Sequence, residues 1–423
     1  MRTNGRSAKL CESLPQPSDL CRGGVGMKHV IIGAGAAGIS AAKTIRKFQP
    51  KDEIVIISAD DAVYSRCMLH NYISGERDEK GISFINDKFF AKNNIRWING
   101  KTVKDIDTTN KVVKFTNGAE SFGKLLIASG SESTKMPLLQ SQNPKNALNL
   151  RHLHDAKAIK EIGKEAKNIV IIGAGLVGLD AAYALLDMGK KPIIVDMADS
   201  ILSLNLDSYA ASVYQQKFEE AGCTFKLGCK INHADNDATG DISSLALDSG
   251  EKLACDLVIV AVGSQPAVDF LAADLSVDNY LSTNIKDIYA AGDVTGLSAI
   301  WPNAVKQGEV AAKNMCGIPT IYDDKFALKN TINYFGLPSL SVGEVEANEG
   351  EQIQKDRNKY KKVILRDNHV VGVVLQGDIA HSGFWQYLIK NKVDISHVNS
   401  SVFNLSFADF YGVQENGEYQ WAT

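Results

Sequence analysis

The sequence predicts an α/β protein with two parallel-sheet domains, followed by a small α+β domain at the C-terminal end. Two observations carry this prediction. A pattern of strand, glycine turn and helix occurs twice, at residues 29–47 and 169–187, and strand-like runs separated by turns follow residue 330. At 423 residues the chain is long enough for about three domains, each with its own core.

Composition excludes several functional classes. The chain is 44% hydrophobic and 22% charged, as in a soluble globular protein, and its net charge of −3 gives no electrostatic reason to expect nucleic acid or an anionic membrane as a partner. The longest apolar run, residues 257–263, is too short to span a bilayer. Residues 1–26 are polar and aperiodic, so we expect a disordered leader or an expression artefact, with Met27 as the true start.

The seven cysteines include no C-x-x-C pair and no zinc or iron–sulfur spacing. We therefore expect no metal site. The odd number of cysteines and the missing disulfide framework favour a reducing, cytoplasmic location.

The first glycine motif, Gly33-x-Gly35-x-x-Gly38, encloses Ala36 and Ala37. Its first glycine permits a tight turn, its second lets the backbone approach a pyrophosphate, and its third lets the helix pack on the strand. The next strand-like run, at 53–58, is followed by Asp60, which we assign as the ribose ligand of this half.

The second motif, Gly173-x-Gly175-x-x-Gly178, aligns with the first almost residue for residue, which indicates an internal repeat of a Rossmann-like unit. The strand that follows ends in Asp196, where a carboxylate would accept hydrogen bonds from a ribose 2′-hydroxyl. No Arg or Lys follows to receive a 2′-phosphate, so the sequence favours NADH over NADPH.

Further on, a strand leads into Ala290-Ala291-Gly292-Asp293. Together with the two glycine motifs, this element resembles the two-dinucleotide-binding flavoproteins of the pyridine nucleotide–disulfide oxidoreductase type, over about residues 27–320. Residues 125–131 and 257–267 resemble two further elements of that family. These two elements add four residues to the cofactor sites that the resemblance implies: Ala128, Ser129, Gly130 and Gly263.

The resemblance implies an FAD domain in two pieces with an NAD(H) domain inserted between them, and hydride transfer from nicotinamide C4 to flavin N5. It assigns Asp293 to the ribityl chain and places the helix that begins near Trp301 and Ala304 at the flavin. We expect the FAD-binding domain at 27–140 and 256–322, the NAD(H)-binding domain at 141–255, and a C-terminal domain with its tail at 323–423.

Cys67 decides between two branches of this family. One branch places a single reactive cysteine beside the flavin, as in NADH oxidases, NADH peroxidases and coenzyme A-disulfide reductases. The other has a Y-x-R-P-x-L pattern without a redox cysteine, as in rubredoxin reductases. This chain has Tyr64-x-Arg66-Cys67-x-Leu69, which keeps the Tyr, Arg and Leu of the second pattern but has cysteine in place of proline. Arg66 and a following helix start could lower the pKa of the thiol, so both branches stay open. The resemblance also places Arg66 among the cofactor-site residues.

The region after 330 resembles the C-terminal domain of NADH:rubredoxin oxidoreductases and of nitrite reductase flavin modules. We therefore expect an FAD enzyme that oxidises NADH and passes electrons to a rubredoxin-like carrier or a linked reductase. Two alternatives are a small-molecule oxidase, peroxidase or disulfide reductase that uses Cys67, and a redox sensor without turnover. The aromatic tail at 403–421 predicts packing on the body, a homodimer contact or a docking surface.

Two departures from the family concern a charge pair. Related reductases carry a Lys where this chain has Asn71, and a Glu where it has Asp180 in the second glycine-motif helix. The resemblance thus includes Asp180 among the cofactor-site residues but leaves its partner open.

Overall fold

The computed structural model describes residues 26–139, 143–271, 274–324, 330–357, 359–398, 400–413 and 419–421. Apart from Gly26, the expected leader lies outside the described residues. Within them, no helix combines the length and the apolar character needed to cross a bilayer. The mixed α/β architecture with two parallel sheets confirms the predicted fold class.

The first domain begins with a parallel sheet, and β1 is its central strand. Both faces of β1 are buried, because its apolar side chains point alternately toward the helices and toward a second layer. Its elements are β1 (Lys28–Ile32), α1 (Ala36–Phe48), β2 (Glu53–Ile57), α2 (Leu69–Ser74), α3 (Phe89–Lys92), β3 (Ile95–Ile98), β4 (Val103–Asp107), β5 (Val112–Phe115), β6 (Gly118–Ser121), β7 (Lys124–Ile127) and β8 (Ser131–Ser133).

The second domain repeats this unit around a second parallel sheet. Its elements are β9 (Ala147–Asn149), α4 (Leu153–Glu165), β10 (Ile169–Ile172), α5 (Leu176–Asp187), β11 (Ile193–Val195), α6 (Ser208–Glu220), β12 (Thr224–Lys226), β13 (Ile231–Asn236), β14 (Ile242–Leu247), β15 (Lys252–Ala254), β16 (Leu257–Val260) and β17 (Ser264–Pro266). We expected the first domain to resume at 256, but β16 pairs with β10 and β9 in the second sheet. Strand β16 therefore belongs to the second domain, and β17 leads the chain back toward the first.

The chain then returns to the first domain through β18 (Ile288–Ala290) and α7 (Trp301–Met315). Strand β18 pairs in parallel with β7, so the first sheet has the order β18-β7-β1-β2-β3 and contains two separate stretches of sequence. Where the chain crosses between the domains, the outgoing β8 and the returning β17 form an antiparallel ribbon.

The C-terminal domain is an antiparallel sheet covered by one helix. Its elements are β19 (Asn330–Tyr334), β20 (Leu337–Gly343), β21 (Glu351–Asp356), β22 (Lys359–Arg366), β23 (His369–Gln376), α8 (Ser382–Asn391), β24 (Tyr411–Val413) and β25 (Tyr419–Trp421). Phe410 of the aromatic tail is fully buried in the core beneath α8. This part of the tail packs on the body of the domain.

Helices α1 and α7 lie unusually close to each other. A Cβ atom at Gly308 of α7 would stand 2.2 Å from the carbonyl oxygen of Ala37 in α1, nearer than any real contact. The small side chains of α7 therefore let the second piece of the first domain pack directly against α1 of the first piece.

We predict that Gly308→Ala lowers the thermal midpoint of unfolding by about 4 °C or more, because overpacking of this kind costs about 1–3 kcal/mol. Gly383→Ala in α8 is the matched control, since a Cβ there meets nothing within 4 Å and alanine favours a helix. Differential scanning calorimetry of both variants tests this, and equal midpoints for the two would contradict the close approach.

Candidate functional site

The first glycine loop has the backbone geometry of a phosphate cradle. Gly33 has a φ of +105°, and a Cβ on it would lie 2.2 Å from the carbonyl oxygen of Ala128. A Cβ on Gly38 would lie 2.0 Å from the carbonyl oxygen of Gly33, whereas Gly35 faces open space. Because no side chain caps the start of α1, its first backbone N–H groups are available to an anion.

A cavity of about 920 Å³ opens in front of this loop. Its walls contain seven of the residues that the sequence assigns to the cofactor: Gly33, Gly35, Asp60, Arg66, Ala128, Ser129 and Gly130. By contrast, Ala36, Ala37 and Gly38 are buried in the first turn of α1 and contribute backbone and packing rather than a wall. The cavity also has cationic walls, among them Lys101, Lys104 and Lys135, which suit a pyrophosphate.

Asp60 lies in this cavity, but its carboxylate already has protein partners. It accepts hydrogen bonds from the Tyr64 hydroxyl at 3.0 Å and from the Arg66 guanidinium at 2.9 Å, and His152 Nδ1 is 3.5 Å away. Burial opposes its ionised form, yet the hydrogen bond from His152 and the charge of Arg66 prevail and lower the pKa of Asp60 to about 2. A ribose hydroxyl would have to share this carboxylate with them.

His152 lies between two carboxylates, Asp60 and Glu132, and its Nε2 is 3.2 Å from Glu132. Burial disfavours its charged form, but the hydrogen bonds that it donates to these two carboxylates outweigh the cost and raise the pKa of His152 to about 9. At neutral pH this imidazolium is a further cation in the wall of the cavity.

Arg151 joins the two pieces of the first domain. Its guanidinium donates hydrogen bonds to the Ser131 hydroxyl at 2.5 Å and to the Asp293 carboxylate at 3.0 Å, and Ser131 also donates to Asp293 at 3.1 Å. Asp293 is thus fixed at the edge of the cavity that Arg151 lines. We did not predict Arg151 or His152, since they follow a short strand of the second domain and belong to no glycine motif.

The turn before Asp293 meets α1 and α7. Gly292 has a φ of +87°, and a Cβ on it would lie 3.1 Å from the Cβ of Ala37 and 3.8 Å from the Cβ of Ala304. Trp301 begins α7 and packs edge-on against Phe84, with ring centroids 4.8 Å apart. Ala304 is therefore a packing residue, while Trp301 is half-buried at the helix N-terminus.

The second glycine loop has the same geometry as the first. Gly173 has a φ of +109°, a Cβ on Gly178 would lie 1.9 Å from the carbonyl oxygen of Gly173, and Gly175 faces open space. Asp196, at the end of β11, accepts a hydrogen bond from the backbone N–H of Ala174 inside this loop at 2.6 Å. The acid is thereby held beside the loop, where a ribose would lie.

Apolar side chains around this second loop are exposed. Val177 at the start of α5, Met197 after Asp196, and Val262 just before Gly263 are 43%, 73% and 39% exposed. Gly263 has a φ of +102° and follows the end of β16. An exposed apolar rim around a glycine loop is typical of a site that binds the flat rings of a dinucleotide.

Cys67 lies in a single 3-10 turn, Arg66–Met68, directly before α2. The residue is exposed, but partial burial of its thiol, together with the carboxylates of Asp180 and Asp293, raises the pKa of Cys67. Arg66, which we expected to activate the thiol, instead turns its guanidinium to Asp60, Tyr64 and the backbone of Arg151. The expected electrostatic activation from Arg66 is therefore wrong.

Asp180 lies where three domains meet rather than on the glycine loop. From α5 it accepts a hydrogen bond from the Tyr334 hydroxyl of the C-terminal domain at 2.7 Å, and His70 Nδ1 of α2 is 3.7 Å away. Burial raises the pKa of Asp180. Asn71, the residue at the position of the family's Lys, donates instead to Glu76 at 2.5 Å. His70, the residue before Asn71, is therefore the side chain of α2 that lies next to the Asp180 carboxylate.

The first cavity fits FAD on this geometry. The ADP half of a flavin dinucleotide needs a phosphate-binding loop, free N–H groups and positive charge. The cavity offers a glycine cradle that a Cβ would fill, an uncapped helix N-terminus, cationic walls and a volume of about 920 Å³. Among the described residues, no cluster of three or more His, Cys, Asp or Glu side chains is arranged to hold a metal ion.

Comparison with known proteins points in the same direction. Residues 27–308 match the pyridine nucleotide-disulphide oxidoreductase family, and residues 329–393 match the rubredoxin NAD+ reductase C-terminal domain. The chain is 29% identical to nitrite reductase [NAD(P)H] of Bacillus subtilis over 88% of its own length, but it spans only about half (48%) of that relative.

Two further relatives are matched over almost their whole length. The chain is 28% identical to the epsilon subunit of the NADH-dependent phenylglyoxylate dehydrogenase of Aromatoleum evansii, over 88% of this chain and 94% of that one. The crystal structure of NADH:rubredoxin oxidoreductase from Clostridium acetobutylicum superposes with a TM-score of 0.72 at 26% identity, covering 89% of this chain and 98% of that one.

We predict that the ion pairs of His152 contribute stability at neutral pH that is lost in alkali. Because the pKa of His152 is raised from 6.5 to about 9, the contribution is fully present below pH 6.5 and disappears as the pH rises through about 9. It amounts to about 3 kcal/mol at most, since one pKa unit corresponds to about 1.4 kcal/mol.

Thermal unfolding of wild type and His152→Gln between pH 6 and about 10 measures this contribution. The difference between the two midpoints should shrink as the pH rises. His233→Gln is the control, because His233 is an exposed histidine of β13, away from this cavity. A constant difference across this range would contradict the assignment.

Proposed function

The chain belongs to the pyridine nucleotide-disulphide oxidoreductase family, and on that premise we propose that it oxidises NADH and passes the electrons to a small one-electron redox protein of the rubredoxin kind. Family membership confirms two predictions: that the chain is an oxidoreductase, and that its cofactors are FAD and NAD(H). The electron acceptor is the part that we propose.

One observation carries the choice of acceptor. Burial of the Cys67 thiol, together with the charges of Asp180 and Asp293, raises its pKa, and Arg66 on the same turn is bound to Asp60 instead. A thiol in this state is a poor partner for peroxide or for a disulfide, because the thiolate is the reactive form. The remaining reaction of this fold, electron transfer to an external carrier, needs no thiolate.

The residues of the chain have distinct tasks in this reaction. The loop at Gly33–Gly38, Arg66 and Arg151 would hold the pyrophosphate of FAD, and Asp293 would hold its ribityl chain; FAD supplies hydride acceptance and one-electron release. The loop at Gly173–Gly178 and Asp196 would bind NADH. Asp180, which accepts a hydrogen bond from Tyr334 and lies close to His70, would fix the packing of α5 on α2.

Two similarities support the acceptor. The match of residues 329–393 to the rubredoxin NAD+ reductase C-terminal domain extends the likeness beyond the two dinucleotide-binding domains. The rubredoxin oxidoreductase that superposes on this chain is named for the same acceptor class.

We place the enzyme in the cytoplasm because the five cysteines in the described part of the chain are free thiols. A homodimer stays a prediction.

A panel of acceptors tests the proposal. With NADH as donor, the FAD-loaded protein should reduce a rubredoxin or a [2Fe–2S] ferredoxin with a kcat/KM at least about tenfold above that for oxygen, hydrogen peroxide or coenzyme A disulfide. Faster turnover with any of the three small molecules would contradict it.

We predict that Asp196→Ala raises the KM for NADH by about tenfold to a hundredfold, because a hydrogen bond to a charged group contributes about 1.5–3 kcal/mol. The KM for NADPH should change less, since the 2′-phosphate gains from the removal of the acid. Asp199→Asn, on an exposed residue three positions along, is the control. Equal effects on both nucleotides would assign Asp196 a purely structural role in the loop.

We also predict that Cys67→Ser retains NADH:rubredoxin turnover within about threefold of wild type. The reason is that the protonated thiol forms no bond in the transfer. Stopped-flow reduction of the carrier measures the rate, and Cys223→Ser, a buried cysteine of the second domain, controls for the general effect of losing a thiol. A loss of a hundredfold or more at Cys67 alone would favour the thiol-dependent branch.

A further inference from the structure

A second cleft lies between the second domain and the C-terminal domain, and none of the glycine-motif residues lines it. It encloses about 470 Å³. One wall is a face of α6, formed by Tyr209, Val213 and Lys217 at successive turns. The other wall comprises residues 335–338, 355–357 and 359–360 of the C-terminal sheet, with residues 376–377 behind them.

The cleft has an excess of positive charge. Lys217, Lys355 and Arg357 line it, and within the described part of the chain none of the three forms an ion pair with a carboxylate. A fourth cation, Lys359, is paired with Asp378 at 2.8 Å. Asp356 is the one carboxylate among the lining residues. Like charges brought together in a concave site raise the local positive potential and attract an anion.

The walls of the cleft are held in place by a buried network. Lys362, which is 2% exposed, pairs with Glu346 at 2.8 Å and Glu351 at 2.6 Å, and lies 3.5 Å from Asp207 at the start of α6. The hydroxyl of Tyr360 donates to the same Asp207. Because one wall is bonded to the other through Asp207, the cleft is preformed and a ligand would meet little ordering cost.

Backbone and aromatic groups complete the site. The ammonium of Lys355 lies 3.5 Å from the centroid of the Tyr209 ring, which holds this flexible cation over the cleft. Gly336 has a φ of +69°, and a Cβ on it would meet nothing within 4 Å, so its backbone is open to a ligand. The volume is within the range of sites for small molecules of nucleotide size.

We propose that this cleft binds a phosphorylated small molecule with at least two phosphate groups, of the size of a nucleoside diphosphate. Two or more phosphates match the three unpaired cations, whereas one phosphate leaves part of their repulsion in place. The occupant bridges the second domain and the C-terminal domain, because its cationic contacts come from both walls.

Isothermal titration calorimetry of the FAD-loaded protein, saturated with NAD+ to fill the dinucleotide site, tests this with pyrophosphate and with ADP as probes. Both should bind with an affinity that falls as salt rises. The triple variant Lys217→Gln/Lys355→Gln/Arg357→Gln should bind at least about tenfold more weakly, which corresponds to about 1.4 kcal/mol.

Two matched variants make the test specific. Lys80→Gln/Lys88→Gln/Lys92→Gln removes the same charge from exposed positions of the first domain and should leave the affinity unchanged. Lys217→Arg/Lys355→Arg/Arg357→Lys keeps the charge and should retain binding, which shows that the cleft has folded. An unchanged affinity in the first triple variant, an equal loss in the control, no binding up to about 10 mM, or equal affinity for phosphate and pyrophosphate would each overturn the proposal.

Discussion

The bond between Arg151 and Asp293 links the two stretches of chain that form the first domain. The first domain consists of two stretches of chain, and the whole second domain is inserted between them. Strand β18 and helix α7 of the second stretch pack on β7 and α1 of the first. Arg151, which lies on the chain as it enters the second domain, donates to Ser131 of the first stretch and to Asp293 of the second. With 19% and 21% of their side chains exposed, the two charges are only partly screened by water. The same side chains form the edge of the large cavity, so the joint between the pieces is also part of the site.

The repeated glycine motifs could be predicted because their function is a property of local backbone. A Cβ on Gly38 would collide with the carbonyl oxygen of Gly33, and Gly33 itself has a φ of +105°, so both requirements arise within six residues of the chain. Asp196 could be predicted for the same reason, since it ends the next strand of the same unit.

Arg151, His152 and the partners of Asp180 could not be predicted, because their roles come from the packing of distant segments. His152 acquires its raised pKa only from Asp60 and Glu132, which lie 92 and 20 residues earlier in the chain. Tyr334 donates to Asp180 from another domain, 154 residues further along the chain. The domain boundary near residue 256 was missed because a buried parallel strand has the same apolar pattern in either sheet, and only the pairing of β16 with β10 assigns it.

The central claim is that the bound flavin accepts electrons from NADH without a second redox centre at Cys67. Anaerobic titration of the FAD-loaded protein with NADH tests it most directly. We expect reduction to end at one NADH per FAD, with no long-wavelength thiolate-to-flavin charge-transfer band at neutral pH. Uptake of a second equivalent together with such a band, both absent in Cys67→Ser, would contradict it.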